Sequence, residues 1–342
     1  MTQRSQVPHA PGVQELGATV VAKKYRLLGR IGTGGVGTVY EALHLNLRKR
    51  VAIKILHEVY VGNSSLVDRM RVEAQALAQL ESPHIVEVLD AGQTEDGRPY
   101  IVMPRLVGCS LADELKKRGY LPTEEAIELE LQLLAGLEVA HRAGLVHRDI
   151  KLENLFLCES KGGPPVLKIL DFGMTKVLPE ASEVPPGLQT QEGLVTGTPR
   201  SMAPEQARGV PVDARADLYS AGIVLYQLVA GRDPFHHVSG FVPLIKAHAS
   251  EEARPASEVA AQAIPPELDA IILRVLTKRP EDRYASADAF SFALRHAAAL
   301  ATTQHRIRPA AEKGASLLVA CLLVVGGALL SALAVLLLGR AR

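Results

Sequence analysis

Residues 145–157 read LVHRDIKLENLFL. His147, Arg148, Asp149, Lys151, Glu153 and Asn154 stand among Leu, Val, Ile and Phe, so polar chemistry is concentrated where apolar neighbours can fix a loop against a core. Phosphoryl transfer needs a carboxylate to accept a hydroxyl proton, a cation for the transferred group and oxygen ligands for magnesium. Asp149, Lys151 and Asn154 meet those needs in order, and Asp171 of the triplet Asp171-Phe172-Gly173 supplies a further oxygen ligand.

Upstream, IGTGGVGTVY places Gly32, Gly34 and Gly37 at G-x-G-x-x-G-x-V spacing. Glycines there let backbone N–H groups approach phosphate oxygens without an intervening Cβ. A dinucleotide fold would continue into a helix, whereas TVYEA reads as a returning strand, so a glycine-rich hairpin over phosphates fits better. In VAIKIL, Val51, Ile53 and Ile55 alternate with Ala52, Lys54 and Leu56, which puts Lys54 on the second face of a strand. The segment 64–80 lacks Gly and Pro and spaces Met70, Leu77 and Leu80 as a helix, with Glu73 able to pair with Lys54.

Further strands are expected at HIVEVLDAG, PYIVMPRL and VLKIL. A long helix is expected from Thr123, as N-cap with Glu124 and Glu125 in its first turn, to 143–144, burying Ile127, Leu131 and Leu134. The stretch 174–200 lacks apolar periodicity and reads as a long loop, of a length that in a compact domain is functional or mobile. Helices resume at DLYSAGIVLYQLVAG and continue to about 300, so a strand-rich part precedes a helix-rich part.

Together, GTGGVGTV, VAIK, HRDIKLEN, DFG, GTPRSMAPEQ, ADLYSAGIVLYQL and RPEDRY make the chain resemble the eukaryotic-type (Hanks-type) Ser/Thr protein kinases that also occur in bacteria, over about residues 25–298. The resemblance implies an α+β, bilobal protein-kinase fold with a small β-rich N-lobe (about 25–106) and a larger helical C-lobe (about 107–298). It implies ATP and Mg²⁺ as cofactors and Ser/Thr hydroxyls of proteins as acceptors.

Residue by residue, the resemblance implies that Gly32, Thr33, Gly34, Gly35, Val36, Gly37, Thr38 and Val39 cover the ATP phosphates. Lys54, paired with Glu73, contacts the α and β phosphates. Ile31, Val39, Ala52 and Phe156 sandwich adenine; Met103 resembles the gatekeeper and Pro104 to Leu106 the hinge. Asp149 is the catalytic base, Lys151 steadies the γ-phosphoryl, and Asn154 and Asp171 hold magnesium. Glu205 and Arg283 resemble a buried ion pair, Asp217 the carboxylate that braces the HRD backbone, and Arg148 the arginine that meets a phosphorylated activation loop. Thr190 and Thr196, with Ser182 behind them, are the acceptors for autophosphorylation, which a homodimer would perform in trans. Pro104 replaces a common acidic residue, and Ser201 stands where Tyr is usual. A pseudokinase scaffold is the competing reading; a small-molecule kinase is opposed by GTP…APEQ with Arg283.

The remaining sequence bounds the setting. Net charge is +1 with 22% charged residues, which gives no sign of nucleic-acid binding. Cys109, Cys158 and Cys321 are widely spaced, lack zinc-ligand spacing and read as buried small hydrophobes in a reducing compartment. Residues 1–24 read as a mobile leader without a secretory signal. The uncharged run 315–338 would make about 36 Å of helix at roughly 1.5 Å per residue, enough for one transmembrane helix. A juxtamembrane linker (299–314) would precede it and a short tail (339–342) follow. Because ATP is intracellular, the expected arrangement is a single-pass protein of the inner or plasma membrane with a cytoplasmic kinase domain and the lipid bilayer as a partner. Gly327 and Ser331 could support pairing of such helices.

Overall fold

The computed structural model describes residues 19–34, 37–60, 64–160, 162–172 and 200–299. Two compact units divide the chain at 292/293, and the second has described residues only at 293–299.

The first part of the larger unit is an antiparallel sheet. Its strands are β1 (Val20–Val21), β2 (Tyr25–Thr33), β3 (Gly37–His44), β4 (Lys49–Leu56), β5 (Asp90–Gln93) and β6 (Pro99–Pro104), in spatial order β1-β2-β3-β4-β6-β5. The sheet therefore starts at Val20, inside the stretch read as leader. The expected alternation of β4 holds in register, yet Val51 through Leu56 are all buried, because the strand is central and both faces are covered. Val51, Ile53 and Ile55 join Val21, Tyr25, Leu27, Ala42, Tyr100 and Val102 in one cluster. Each fully buried aliphatic side chain of this kind contributes about 1.5–3 kcal/mol.

Helix α1 (Ser64–Leu77) follows β4 and ends three residues before the expected boundary. HIVEVLDAG forms a strand only from Asp90. Before it, the backbone of 84–86 is claimed by the second part of the unit: Ile169 N–H donates to His84 O at 2.8 Å and Val86 N–H to Ile169 O at 3.0 Å. Those groups are satisfied across the domain by an isolated parallel bridge, Ile85 opposite Ile169, rather than by a strand of the first sheet.

The second part contains a small sheet, β7 (Gly108–Ser110), β8 (Leu155–Cys158) and β9 (Val166–Ile169), in that order and antiparallel. The helices of this part are α2 (Leu111–Arg118), α3 (Thr123–Arg142), α4 (Pro204–Ala207), α5 (Ala214–Ala230), α6 (Phe241–Ser250) and α7 (Pro266–Val275), and a helix α8 runs over 287–299. The N-cap of α3 is Pro122, and Thr123 is the first helical residue. Proline suits that end, where its missing N–H costs no helical bond. Ile127 and Leu134 are buried as expected; Leu131 is only half-buried, and Ala126, Leu129, Leu133, Leu137 and Ala140 complete the inner face.

α5 is buried almost throughout. Its Gly222 is fixed by close approach to α7, since a Cβ there would lie 2.2 Å from Val275 Cγ1. Cys109 and Cys158 are half-buried, not fully buried, because they sit on short strands at the edge of the helical part. Cys109 pairs with Leu157 and Cys158 with Gly108, so the two thiols fall on opposite faces of the sheet. Cys321 and the run 315–338 lie outside the described residues. Among the described residues no helix is long and apolar enough to cross a membrane.

Candidate active site

The opening stretch lies between α3 and β8. Ile150 and Leu155 are wholly buried, which pins the loop at two points. The polar residues between them bond to one another. Lys151 Nζ donates to Asp149 Oδ2 at 2.8 Å. Asn154 Nδ2 donates to the same oxygen at 2.9 Å and to the Asp149 carbonyl at 2.8 Å. Both partners are acceptors, so the amide nitrogen must face them and Asn154 Oδ1 is left for a cation.

His147 is buried and ties this loop to the segment before Asp171. Its Nε2 donates to Leu170 O at 2.8 Å, its Nδ1 accepts from Asp149 N–H at 3.2 Å, and its ring meets Phe172 edge-on at 4.6 Å between centroids. Arg148 and Asp171 both adopt left-handed backbone, with φ of 67° and 57°. Such conformations are uncommon in residues with a Cβ and persist where surrounding bonds impose them.

Asp217, at the start of α5, supplies those bonds for Arg148. The carboxylate accepts His147 N–H at 2.8 Å and Arg148 N–H at 2.7 Å, as the resemblance implied. His141 Nε2 also reaches Asp217 at 2.8 Å, a contact with no local sequence signal. Gln206 is a second residue missed in the sequence: its Nε2 donates to Arg148 O at 2.9 Å and its Oε1 accepts Ala203 N–H at 3.0 Å. Glu205 and Arg283 form the expected pair, bidentate at 2.7 and 2.8 Å and buried on both sides. Arg283 also donates to the Thr277 and Arg215 carbonyls, so few of its donors are left dry.

Across the cleft, Lys54 Nζ lies 2.8 Å from Asp171 Oδ1. Lys54 itself is 7% exposed, far from the solvated edge charge that a lone strand lysine usually is. The Glu73 side chain lies outside the described residues, as do Gly35, Val36, Ser182, Thr190 and Thr196. Register sets Val39 opposite Lys54, Ala52 opposite Met103 and Val51 opposite Pro104, which brings the expected adenine, gatekeeper and hinge positions onto adjacent strands. Ile31 is half exposed on β2; Phe156 on β8 and Leu106 after β6 are half-buried.

The glycine hairpin forms as a returning strand, not a helix. Gly34 N–H donates to Gly37 O at 2.9 Å, and Thr33 and Thr38 face each other with hydroxyls 3.4 Å apart. Gly37 packs so tightly that a Cβ would lie 2.5 Å from Ile55 O, whereas a Cβ on Gly32 would meet nothing within 4 Å. That open side of the hairpin is where a phosphate can approach backbone N–H groups.

A protein kinase domain model matches residues 25–294. The chain belongs to the protein kinase family. It is 39% identical over 281 residues to Serine/threonine-protein kinase pkn3 of Myxococcus xanthus, covering 82% of this chain and 51% of that protein. It is 34% identical over 274 residues to Serine/threonine-protein kinase PknL of Mycobacterium tuberculosis, covering 80% of this chain and 65% of that one. The chain thus spans about half the length of curated relatives such as pkn3, 51% in that case. Among solved structures it is similar to the Mycobacterium tuberculosis PknI kinase domain, with a TM-score of 0.62 and 25% identity over 82% of this chain and 98% of that domain. The bilobal kinase fold, with a β-rich N-lobe and a helical C-lobe, is therefore that of this chain.

The residues present fit ATP and magnesium. Among the described residues no group of three or more His, Cys, Asp or Glu could hold a metal alone. Mg²⁺ characteristically takes one or two protein oxygens and completes its shell with substrate phosphates and water, so Asn154 Oδ1 and the Asp171 carboxylate suffice.

Proposed function

We propose that this chain is a Ser/Thr protein kinase that transfers the ATP γ-phosphoryl group to Ser or Thr hydroxyls of proteins. The observation that carries the reading is the convergence of Lys151 and Asn154 on Asp149 Oδ2, which leaves Oδ1 to accept the substrate hydroxyl proton. Lys151 stands beside that carboxylate, where its charge can steady the phosphoryl group in transit. Lys54, 2.8 Å from Asp171, would contact the α and β phosphates. Magnesium, when bound by Asn154 and Asp171, neutralises charge developing on the phosphates. A pseudokinase would not need these groups together, and that reading is not favoured.

The reading extends to regulation and place. Arg148 Nε is buried without a hydrogen-bond partner among the described residues, which supports a basic pocket for a phosphorylated Thr190 or Thr196. Autophosphorylation in trans would pass through a homodimer. The uncharged run 315–338 supports a single membrane anchor, and the need for intracellular ATP would put the kinase domain on the cytoplasmic side.

The test is Asp149→Asn in phosphotransfer from ATP to a basic protein. Labelling should fall by roughly 10²–10⁴-fold while nucleotide affinity is kept. Equal turnover in the variant, or no magnesium-dependent turnover in the wild type, overturns the reading.

A further inference from the structure

The near-neutral total charge conceals a strongly basic end of the N-lobe. The β1–β2 turn carries Lys23 and Lys24, and the β3–β4 turn leads through Leu47 and Arg48 to Lys49 and Arg50; all six, with Arg26, are exposed. These turns are far apart in sequence but directly bonded, Leu45 N–H donating to Lys24 O at 2.8 Å. Both are stiffened by left-handed residues, with φ of 54° at Lys23 and 53° at Arg48. Register extends the patch along one face of the sheet, Arg26 opposite Leu43 and Leu43 opposite Arg50.

Lys24 is matched by Asp90 at 3.4 Å and Arg50 by Glu41 at 2.9 Å, whereas Lys23, Arg26, Arg48 and Lys49 have no ion pair among the described residues. At the tip, Leu47 is 64% exposed. An apolar side chain ringed by unmatched cations suits a surface that is anionic outside and apolar just beneath.

We propose that the turns at 22–24 and 45–50 dock on the anionic face of a phospholipid bilayer. The inference rests on the membrane-anchored reading above, since an anchor at 315–338 would hold the domain within reach of such a face. Basic residues near an anionic leaflet each add attraction, worth about fivefold in partition per residue, and salt weakens it. The glycine hairpin lies at the other end of β2, about 25 Å away at roughly 3.3 Å per residue, so docking by these turns leaves the ATP cleft open.

The test uses the full chain reconstituted in phosphatidylcholine vesicles with and without phosphatidylglycerol, followed by amide hydrogen exchange. The amides of 22–24 and 45–50 should exchange several-fold more slowly in the anionic bilayer. That difference should vanish in high salt and in the triple variant Lys23→Gln, Arg48→Gln, Lys49→Gln, with phosphotransfer to a soluble substrate unchanged. Equal exchange in the two bilayers, or protection that survives the triple substitution, overturns the proposal. Equal protection by a single-stranded oligonucleotide would assign the patch to nucleic acid instead. Flotation with phosphatidylcholine vesicles in high salt reports the anchor separately. If the chain fails to float there, the anchor reading falls, and salt-sensitive flotation with anionic vesicles alone then decides the patch.

Discussion

Asp217 Oδ1 accepts the backbone N–H of Arg148 at 2.7 Å, and Arg148 holds a left-handed φ of 67°. A residue in the helical core thus keeps the catalytic loop in a conformation the loop would not choose alone. Asp217→Asn replaces one acceptor oxygen by an NH₂ group facing a buried N–H. It should cost about 1–3 kcal/mol in urea unfolding. It should also lower kcat more than it raises KM for ATP, since Asp149 sits one residue beyond the released N–H.

The Glu205–Arg283 pair has no water to fall back on. Arg283→Met leaves a buried carboxylate without its partner and should destabilise the domain by about 3–5 kcal/mol. The double substitution Glu205→Leu, Arg283→Met should recover a large part of that loss. Denaturant midpoints of the single and double variants measure both, and a double variant no better than the single would show that the pair acts through Arg283's bonds to carbonyls.

His248 on α6 is buried beside Tyr219 and Phe235, with its Nδ1 3.1 Å from Tyr219 Oη. Burial, helped by the nearby Lys278 ammonium, pushes its imidazole down to about 3. Above the ordinary histidine range the residue is neutral in folded and unfolded chains and its contribution is intact. As pH falls from that range toward about 3, only the unfolded chain takes up the proton, so stability declines. His248→Gln should flatten this part of the stability-against-pH curve.

Glu130 on α3 is fully buried with neither carboxylate oxygen hydrogen-bonded among the described residues. Desolvation raises its pKa well above the usual glutamate value, so the folded state keeps it protonated. The sign is opposite to that of a salt-bridged acid: stability is greatest below the ordinary glutamate range and declines as pH rises toward the folded value. Glu130→Gln should stabilise the protein at pH 7 relative to pH 4, read as a shift in thermal midpoint between the two buffers.

Legibility followed distance along the chain. Asp149, Lys151 and Asn154 are close in sequence, and their mutual bonds follow from a local spacing that reads directly as chemistry. The partners that hold them were not legible in that way. His141 and Gln206 are single polar residues on helices, with no period or neighbour to mark them, and only folding brings them to Asp217 and Arg148. HIVEVLDAG reads as one strand because its apolar content fits one, yet it pairs in two places, Ile85 bridging to Ile169 and Asp90 onward joining β6.

The sequence by itself determined the family and the two-part architecture, because binary patterning and motif spacing act over a few residues and survive without a fold. Only the tertiary structure decided that Lys54 is buried against Asp171, that Arg148 is held in a left-handed conformation where Asp217 braces it, and that Lys23, Lys24, Arg26, Arg48, Lys49 and Arg50 meet at one end of a sheet in a chain of almost zero net charge. Apart from the brace at Asp217, which the resemblance implied, these join residues whose separation along the chain carries no signal. Their energies come from desolvation and from the satisfaction of buried polar groups, which exist only once the core has closed.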